Sequence, residues 1–413
     1  MAVVKAFCGM RFSGCDLNKK VTPPYDIISE KEQAEFYEKD SHNVIRLEYG
    51  IINDTDTSEN NRYTRAGKDL TKWLDEGVLK IEDKPCFYVY EEEFSLPDGT
   101  KKSIKGLISR VMLQEFSDNV VLPHEQTLSK AKEDRFNLME ATFANFSQIY
   151  SLYMDEEHII PSLMEKAPKI ELADFVDDYG IRQRLWKIED EASISGIEKA
   201  FSEKQLFIAD GHHRYETGLR FKKAHPECEA AKDIMMFLID LENEGLVIFP
   251  THRIVFDMEI DVDAFLKNAT AFSVTECESG KAYISDAKMP SFVMVTPDKD
   301  YVLTLKSFDA IYDAIKSGSD AYRTLDVNVL HTLLLEPIGI DKENMAAQKN
   351  LRYTRDEAEA RSEVASGKAN CAFLMNATRV DQIRDVSLAG EKMPQKSTYF
   401  YPKLTTGLVM NKF

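Results

Sequence analysis

With 413 residues, the chain is long enough for two or three domains with substantial cores, and its 43% apolar, 10% aromatic and 30% charged residues are those of an ordinary globular protein. Asp and Glu number 70 against 52 Lys and Arg, a formal charge of −18. That balance opposes wrapping a polyanion, which asks for a basic face, so nucleic acid is excluded as the main partner while one small basic pocket is not.

The chain begins with a β-prone stretch, residues 3–12, and reaches Val21-Thr22-Pro23-Pro24-Tyr25-Asp26, where two prolines fix an extended path and hold Tyr25 and Asp26 in a loop. Residues 29–40 are expected as a short helix and 44–50 as a strand. Residues 61–76 carry Tyr63, Ala66, Leu70, Trp73 and Leu74 at helical spacing and stop at Gly77, with Trp73 in the core. Strands at 86–94 and 103–112 flank Leu96-Pro97-Asp98-Gly99 as a hairpin. Leu122-Pro123-His124-Glu125-Gln126-Thr127 then leads into an amphipathic helix with Lys130, Lys132, Asp134 and Arg135 in its first turns. A His-Glu pair in a Pro-led loop can supply a general base or a metal ligand, or only cap the helix. It is not the zinc motif His-Glu-x-x-His, because Leu128 stands where the second histidine belongs.

Residues 155–190 are polar, with a helix from Pro161 and a strand around 184–188, and a short helix follows at 196–202. Runs at 234–239 and 246–250 flank Glu242-Asn243-Glu244-Gly245 as a second hairpin, which exits into Thr251-His252-Arg253, a His-Arg pair able to face a cleft or to pair with a carboxylate. From Asp261 the pattern resets: a helix at 262–268, a hairpin of 291–295 and 301–305, helices at 311–317 and 327–335, and strands at 351–353 and 371–375 around a charged helix. Boundaries are placed near Tyr150 and Asp261, giving regions 1–150, 151–260 and 261–413. The last dense stretch is Met393-Pro394-Gln395-Lys396-Ser397-Thr398-Tyr399-Phe400. It lacks the upstream glycines of a P-loop, so it is read either as an anion contact through Lys396, Ser397 and Thr398 or as an aromatic segment packed on a sheet.

The six cysteines, Cys8, Cys15, Cys86, Cys228, Cys277 and Cys371, form no Cys-x-x-Cys pair. They are expected to be reduced thiols, with neither a disulfide framework nor a thiolate zinc site. The N-terminal residues lack the apolar core of a signal peptide, and the longest apolar run, 234–239, is far short of a membrane span. A cytoplasmic protein without a membrane partner is therefore expected.

The densest chemistry lies in Gln205-Leu206-Phe207-Ile208-Ala209-Asp210-Gly211-His212-His213-Arg214-Tyr215-Glu216. An apolar β-prone run stops at Asp-Gly, and a segment without helix breakers except Gly218 runs from Tyr215 to Ala224 before His225-Pro226. The pattern is strand, tight turn, helix. Asp210 is expected to cap the helix by accepting from the amides of His212 or His213, and Gly211 supplies a backbone angle that a Cβ resists. The next amides, at the positive end of the helix dipole, then stand with His212, His213 and Arg214 as a cradle for phosphate.

The Asp-Gly-His-His-Arg-Tyr-Glu string resembles the strand-to-helix signature shared by ParB nucleases and CTPases, sulfiredoxins and free-serine kinases, whose turn cradles nucleotide phosphates. Over nearly its full length the chain resembles the bacterial and archaeal family known as domain of unknown function 1015. The matching stretches are the Thr22 to Asp26 loop, Leu122 to Thr127, Asp134-Arg135, the Asp210 string, Pro250-Thr251-His252-Arg253 and Met393 to Phe400. The resemblance implies an α+β fold of mixed sheets and hairpins, with a ParB/sulfiredoxin-like core and a C-terminal α/β elaboration. Sulfiredoxin chemistry needs a cysteine in the turn, and Asp210 to Arg214 has none.

Acids, histidines, arginines and a lysine in one cleft suit phosphoryl transfer, where catalysis is mostly positioning and charge stabilisation. The first functional expectation is thus a nucleotide-dependent phosphotransferase acting on a small hydroxyl metabolite, serine-like by the kinase resemblance, with ATP or ADP and Mg²⁺. Asp210, Gly211, His212, His213, Arg214, His252, Arg253, Ser397 and Thr398 would hold the nucleotide. Glu125 or Asp26 would take the substrate proton, with His124 and Lys396 completing the catalytic set. A second expectation is a metal-dependent hydrolase of a phosphorylated small molecule, with His124, Glu125, His212 and Asp210 as ligands; a third is a non-catalytic nucleotide-sensing or interaction module.

Overall fold

The run Asp-Ile-Met-Met-Phe-Leu-Ile-Asp has no polar residue between its ends, so it offers no face to water and is stable only inside a sheet. It forms the strand Asp233–Asp240, buried at every position, parallel to Ile149–Tyr153 on one side and antiparallel to Lys101–Met112 on the other. In the computed structural model, which describes residues 1–127, 129–285 and 287–413, this strand is central to the larger of two compact units. That unit comprises Met1–Pro123, Thr127–Leu246 and Pro402–Phe413; the other comprises His124–Gln126 and Val247–Tyr401. Leu128, singled out above, lies outside the described residues.

Among the described residues the first unit holds a nine-stranded mixed sheet. Its main order is Val121–Leu122, Leu206–Asp210, Ile149–Tyr153, Asp233–Asp240, Lys101–Met112, Phe87–Ser95, Arg182–Ile188 and Ile170–Val176, with Val4–Lys5 pairing Lys101–Met112. The hairpin around Pro97 forms as expected, as do the helices Glu30–Lys39 and Arg62–Asp75. Both helices start from capping boxes, at Ser29 with Glu32 and at Asn61 with Thr64. Helix His212–Ala224 packs on Ile149–Tyr153, on Asp233–Asp240 and on helix Ser129–Thr142. Gly218 is what permits that approach: a Cβ there would lie 2.7 Å from Ile234 Cδ1.

Two expectations are corrected. Residues 44–50 are not a strand; Ile45–Glu48 is a helical turn, with Asn43 Oδ1 accepting from the Ile45 amide (2.9 Å) and the Glu48 carbonyl accepting from Arg135 (3.1 Å). A carbonyl taken by a guanidinium is not available to a ladder. The second hairpin is also absent: Asp233–Asp240 is flanked on both edges within the first unit, whereas Val247–Ile248 pairs with Phe400–Tyr401 in the second. An all-apolar run is satisfied by two neighbours and not by one hairpin partner.

The second unit has a six-stranded antiparallel sheet among the described residues, ordered Phe272–Cys277, Asp300–Leu305, Ser291–Val295, Cys371–Met375, His252–Val255, Leu351–Thr354. Helix Glu357–Ala365 buries Ala360 and Val364 against Ile254, Val293 and Ala372. The chain is thus an α+β protein with mixed sheets and hairpins. The boundary placed near Tyr150 falls inside the strand Ile149–Tyr153, and that near Asp261 falls at the cap of helix Val262–Asn268.

Candidate functional site at a strand-to-helix turn

The Asp210 string forms the expected strand, turn and helix: Leu206–Asp210, then Gly211, then His212–Ala224. Register against Ile149–Tyr153 slips between Ile208, opposite Ser151, and Asp210, opposite Tyr150, leaving Ala209 as a bulge that re-aims Asp210. Gly211 occupies the N-cap at φ +96°, and no side chain caps the helix there. Asp210 stands one residue before that cap position, and its carboxylate is held by two cations, Lys403 Nζ on Oδ1 (3.0 Å) and Arg214 Nη2 on Oδ2 (3.2 Å). Arg214 folds back over the glycine and donates through Nη1 to the Gln148 carbonyl (2.6 Å).

Burial alone would raise the Asp210 pKa, but Lys403 and Arg214 more than offset it and hold the carboxyl well below the usual carboxylate range. Two cations on one carboxylate leave a surplus positive charge in front of a helix N-terminus, the arrangement that attracts a second anion. Gly211 is doubly constrained, since a Cβ there would come 2.9 Å from the Arg214 guanidinium on a left-handed backbone. Gly211→Ala is expected to cost about 1–2 kcal/mol of stability and to weaken anion binding, read by urea unfolding and by calorimetry.

Around the turn stand further ionisable groups of the same unit. His212 is buried. His213 is partly buried; burial lowers its pKa, aided by Lys132 and opposed by Glu216, Asp26 and Asp210, so the ring is neutral at neutral pH. Glu216 accepts from Thr127 Oγ1 and Lys132 Nζ, both at 2.7 Å. Asp26 lies exposed in the turn Tyr25–Ile27, set by the extended Pro24. Its neighbour Tyr25 lies under the Arg135 guanidinium at 3.8 Å. Arg135 is itself buried, pairing with Glu48 Oε1 (3.1 Å) and Asp134 Oδ2 (2.6 Å), while Ser147 donates to Glu48 (2.9 Å). A cavity of about 30 Å³ bounded by Glu48, Arg135, Asn145, Ser147 and Arg214 is the size of one water.

The remaining candidates belong to the second unit. His124 Nε2 meets Thr398 Oγ1 at 3.0 Å, the His124 carbonyl accepts from the Met393 amide (2.7 Å), and Glu125 bridges to Met393. Lys396 sits at φ +59°, in a turn closed by Ser397 Oγ donating to the Pro394 carbonyl (2.6 Å) and by Thr378 Oγ1 donating to the Ser397 carbonyl (2.7 Å). Arg253 is fully buried; it donates to the carbonyls of Thr251 and Lys396 and lies 5.4 Å from the Tyr353 ring centroid. Burial pushes its pKa down to about 10 and that of His252 down to about 4. His252 Nδ1 accepts from the Met375 amide (3.3 Å), so the neutral ring carries its proton on Nε2. Asp26 and the Asp210 string are thus in one unit, and His124, Glu125, His252, Arg253, Lys396, Ser397 and Thr398 are in the other. Among the described residues no group of three or more His, Cys, Asp and Glu side chains is arranged to hold a metal ion. Among them, too, no helix is long and apolar enough to cross a membrane.

Sequence reasoning missed Lys403 and Glu48. Lys403 closes the aromatic stretch after Pro402, and Glu48 is an acid inside an apolar run, a pattern that signals a buried ion pair.

The family model described as protein of unknown function, DUF1015, matches residues 4–328. The chain belongs to the DUF1015 family. No curated protein matches this DUF1015 sequence. Among solved structures it is similar to a conserved hypothetical protein from Pyrococcus furiosus, at 14% identity and TM-score 0.35, over 71% of this chain and 90% of that one. It is similar to a free serine kinase in complex with AMP, at 13% identity and TM-score 0.37, over 71% and 86%. It is also similar to C-terminally truncated SbnI from Staphylococcus aureus, at 12% identity and TM-score 0.39, over 72% and 85%.

Proposed function

We propose that this DUF1015 protein binds the phosphates of a nucleotide at the Asp210 turn and transfers a phosphoryl group to or from a small hydroxyl metabolite. The observation that carries the reading is the pair of cations, Arg214 and Lys403, sharing one carboxylate beside a helix N-terminus whose cap position is a glycine. An arriving phosphate competes with Asp210 for both cations, as the helix dipole favours it. Neutral His213 donates a hydrogen bond without adding charge, and the exposed Asp26 carboxylate accepts the hydroxyl proton of the substrate. With no cluster of three protein ligands among the described residues, a magnesium ion would be held mainly by the nucleotide itself and would supply charge neutralisation in the transfer.

Calorimetric titration with AMP, ADP, ATP and pyrophosphate tests the binding half. Arg214→Ala and Lys403→Ala are each expected to weaken binding by about ten- to a hundredfold, the loss of one charge-assisted hydrogen bond of about 1.5–3 kcal/mol. Unchanged affinity in both variants overturns the assignment. The transfer half is tested by ATP turnover with Mg²⁺ across a panel of small hydroxyl metabolites, serine included. Binding without turnover on any of them reduces the protein to a nucleotide sensor.

A further inference from the structure

A second buried acid lies in the first unit, and its protons can be counted. Tyr90 Oη contacts three groups: Glu92 Oε1 (2.6 Å), Gln183 Oε1, and the Thr405 amide (3.4 Å). Gln183 cannot be turned round, because its Nε2 donates to Asp177 Oδ2 (2.9 Å), a carboxylate that only accepts. A phenol has one proton, and Tyr90 gives it to Gln183 Oε1. The contact to Glu92 then closes only if Glu92 carries a proton and donates it to Tyr90 Oη. Charge on Glu92 would meet no cation: it is fully buried, its Oε2 has no hydrogen-bond partner, no Lys or Arg pairs with it among the described residues, and burial outweighs the hydrogen bonds from Tyr90, Gln183 and the Thr405 amide that favour the charged form. Across the register stand Ile104 and Gln183. The titratable groups near it are Tyr90 on its own strand, Tyr150 on Ile149–Tyr153, and Asp177 beyond Ile170–Val176.

The same hydroxyl grips the C-terminal segment. Thr405 donates its amide to Tyr90 and accepts through its carbonyl from Gln148 Nε2 (3.2 Å), and the Gln148 carbonyl holds Arg214. Two residues before Thr405 is Lys403, the cation on Asp210. We propose that Glu92 works as a neutral carboxylic acid and as a positioning residue: through Tyr90 it fixes the 402–406 segment so that Lys403 reaches the Asp210 turn. This rests on the reading of that turn as the phosphate site. Burial pushes the Glu92 pKa up to about 8, so the grip is complete at neutral pH and fails as the medium becomes alkaline.

The test uses the full-length protein and its Glu92→Gln variant, a neutral isostere that still donates to Tyr90. Hydrogen exchange of residues 402–413, corrected for intrinsic rates, is compared at about pH 7 and about pH 9, and pyrophosphate is titrated at both. In the wild type, protection of the segment falls about tenfold across that interval, following a group that ionises near its middle. Pyrophosphate affinity falls with it, and Glu92→Gln holds both constant. Wild-type protection that does not change with pH, or a variant that loses it equally, overturns the proposal. If Glu92→Gln does not fold, Tyr90→Phe replaces it: loss of protection at pH 7 with unchanged far-ultraviolet dichroism supports the grip, and full protection overturns it. Should pyrophosphate bind at neither pH while exchange still tracks Glu92, the positioning role stands and the phosphate site falls.

Discussion

Arg135→Ala is expected to destabilise the protein by about 3–5 kcal/mol, the cost of leaving a buried carboxylate without its cation. Arg135 holds Glu48 through both the carbonyl and Oε1, at 3.1 Å each, and covers the Tyr25 ring. Glu48 is buried, and burial already raises its pKa against the pull of Arg135, Arg214 and Ser147. A raised folded-state pKa contributes stability that is full at acid pH and lost as pH rises. Removing Arg135 raises it further, so the deficit is smallest in acid and grows toward neutrality. Urea unfolding at several pH values checks the slope. Adding Glu48→Gln to Arg135→Ala should restore a large part of the loss; a double variant no more stable than the single one would mean that packing under Tyr25, and not charge, is at stake.

Glu92→Gln is expected to change the pH profile of global stability even more visibly. Burial pushes the Glu92 pKa up to about 8 in the folded chain, against 4.5 for an ordinary glutamate. Stability from its protonated form is complete below 4.5, declines through the interval between, and is gone above about 8. Over that span the decline amounts to roughly 4–5 kcal/mol. The glutamine variant should show no such slope and exceed the wild type at about pH 8. Chemical unfolding across pH 5 to 9 reads this directly, and parallel profiles would mean that Glu92 is ionised in the folded chain as in the unfolded one, which overturns the neutral-acid assignment.

The strand, turn and helix at Asp210 were legible because each signal was local: an apolar run, a glycine that alone tolerates φ +96°, and a helix-forming stretch up to His225-Pro226. What Asp210 does there was not legible. An Asp before a helix reads as a cap, and only the arrival of Lys403, far along the chain, turns it into the anchor of two cations. The segment at 44–50 misled for a similar reason: alternating Val44, Arg46 and Glu48 look like a strand until Arg135 takes the Glu48 carbonyl. Val262–Asn268 and the hairpin of Ser291–Val295 with Asp300–Leu305 needed no distant partner, and their patterns sufficed. Arg253 reads as a ligand contact from its neighbours in sequence, whereas its burial against two carbonyls comes from the fold.

The first unit is assembled from chain lying on both sides of the second in sequence, and Asn411–Lys412 pairs with Ala144–Asn145 as Met10 bridges Met410. At roughly 5–20 residues per second, a ribosome takes roughly ten to thirty seconds to go from Leu246 to Pro402. Throughout that delay Asp210 and Arg214 already exist without Lys403, and the newborn sheet waits with an open seam. On the proposed reading of that turn, ligand competence is a late event of biosynthesis, switched on only when the closing peptide arrives.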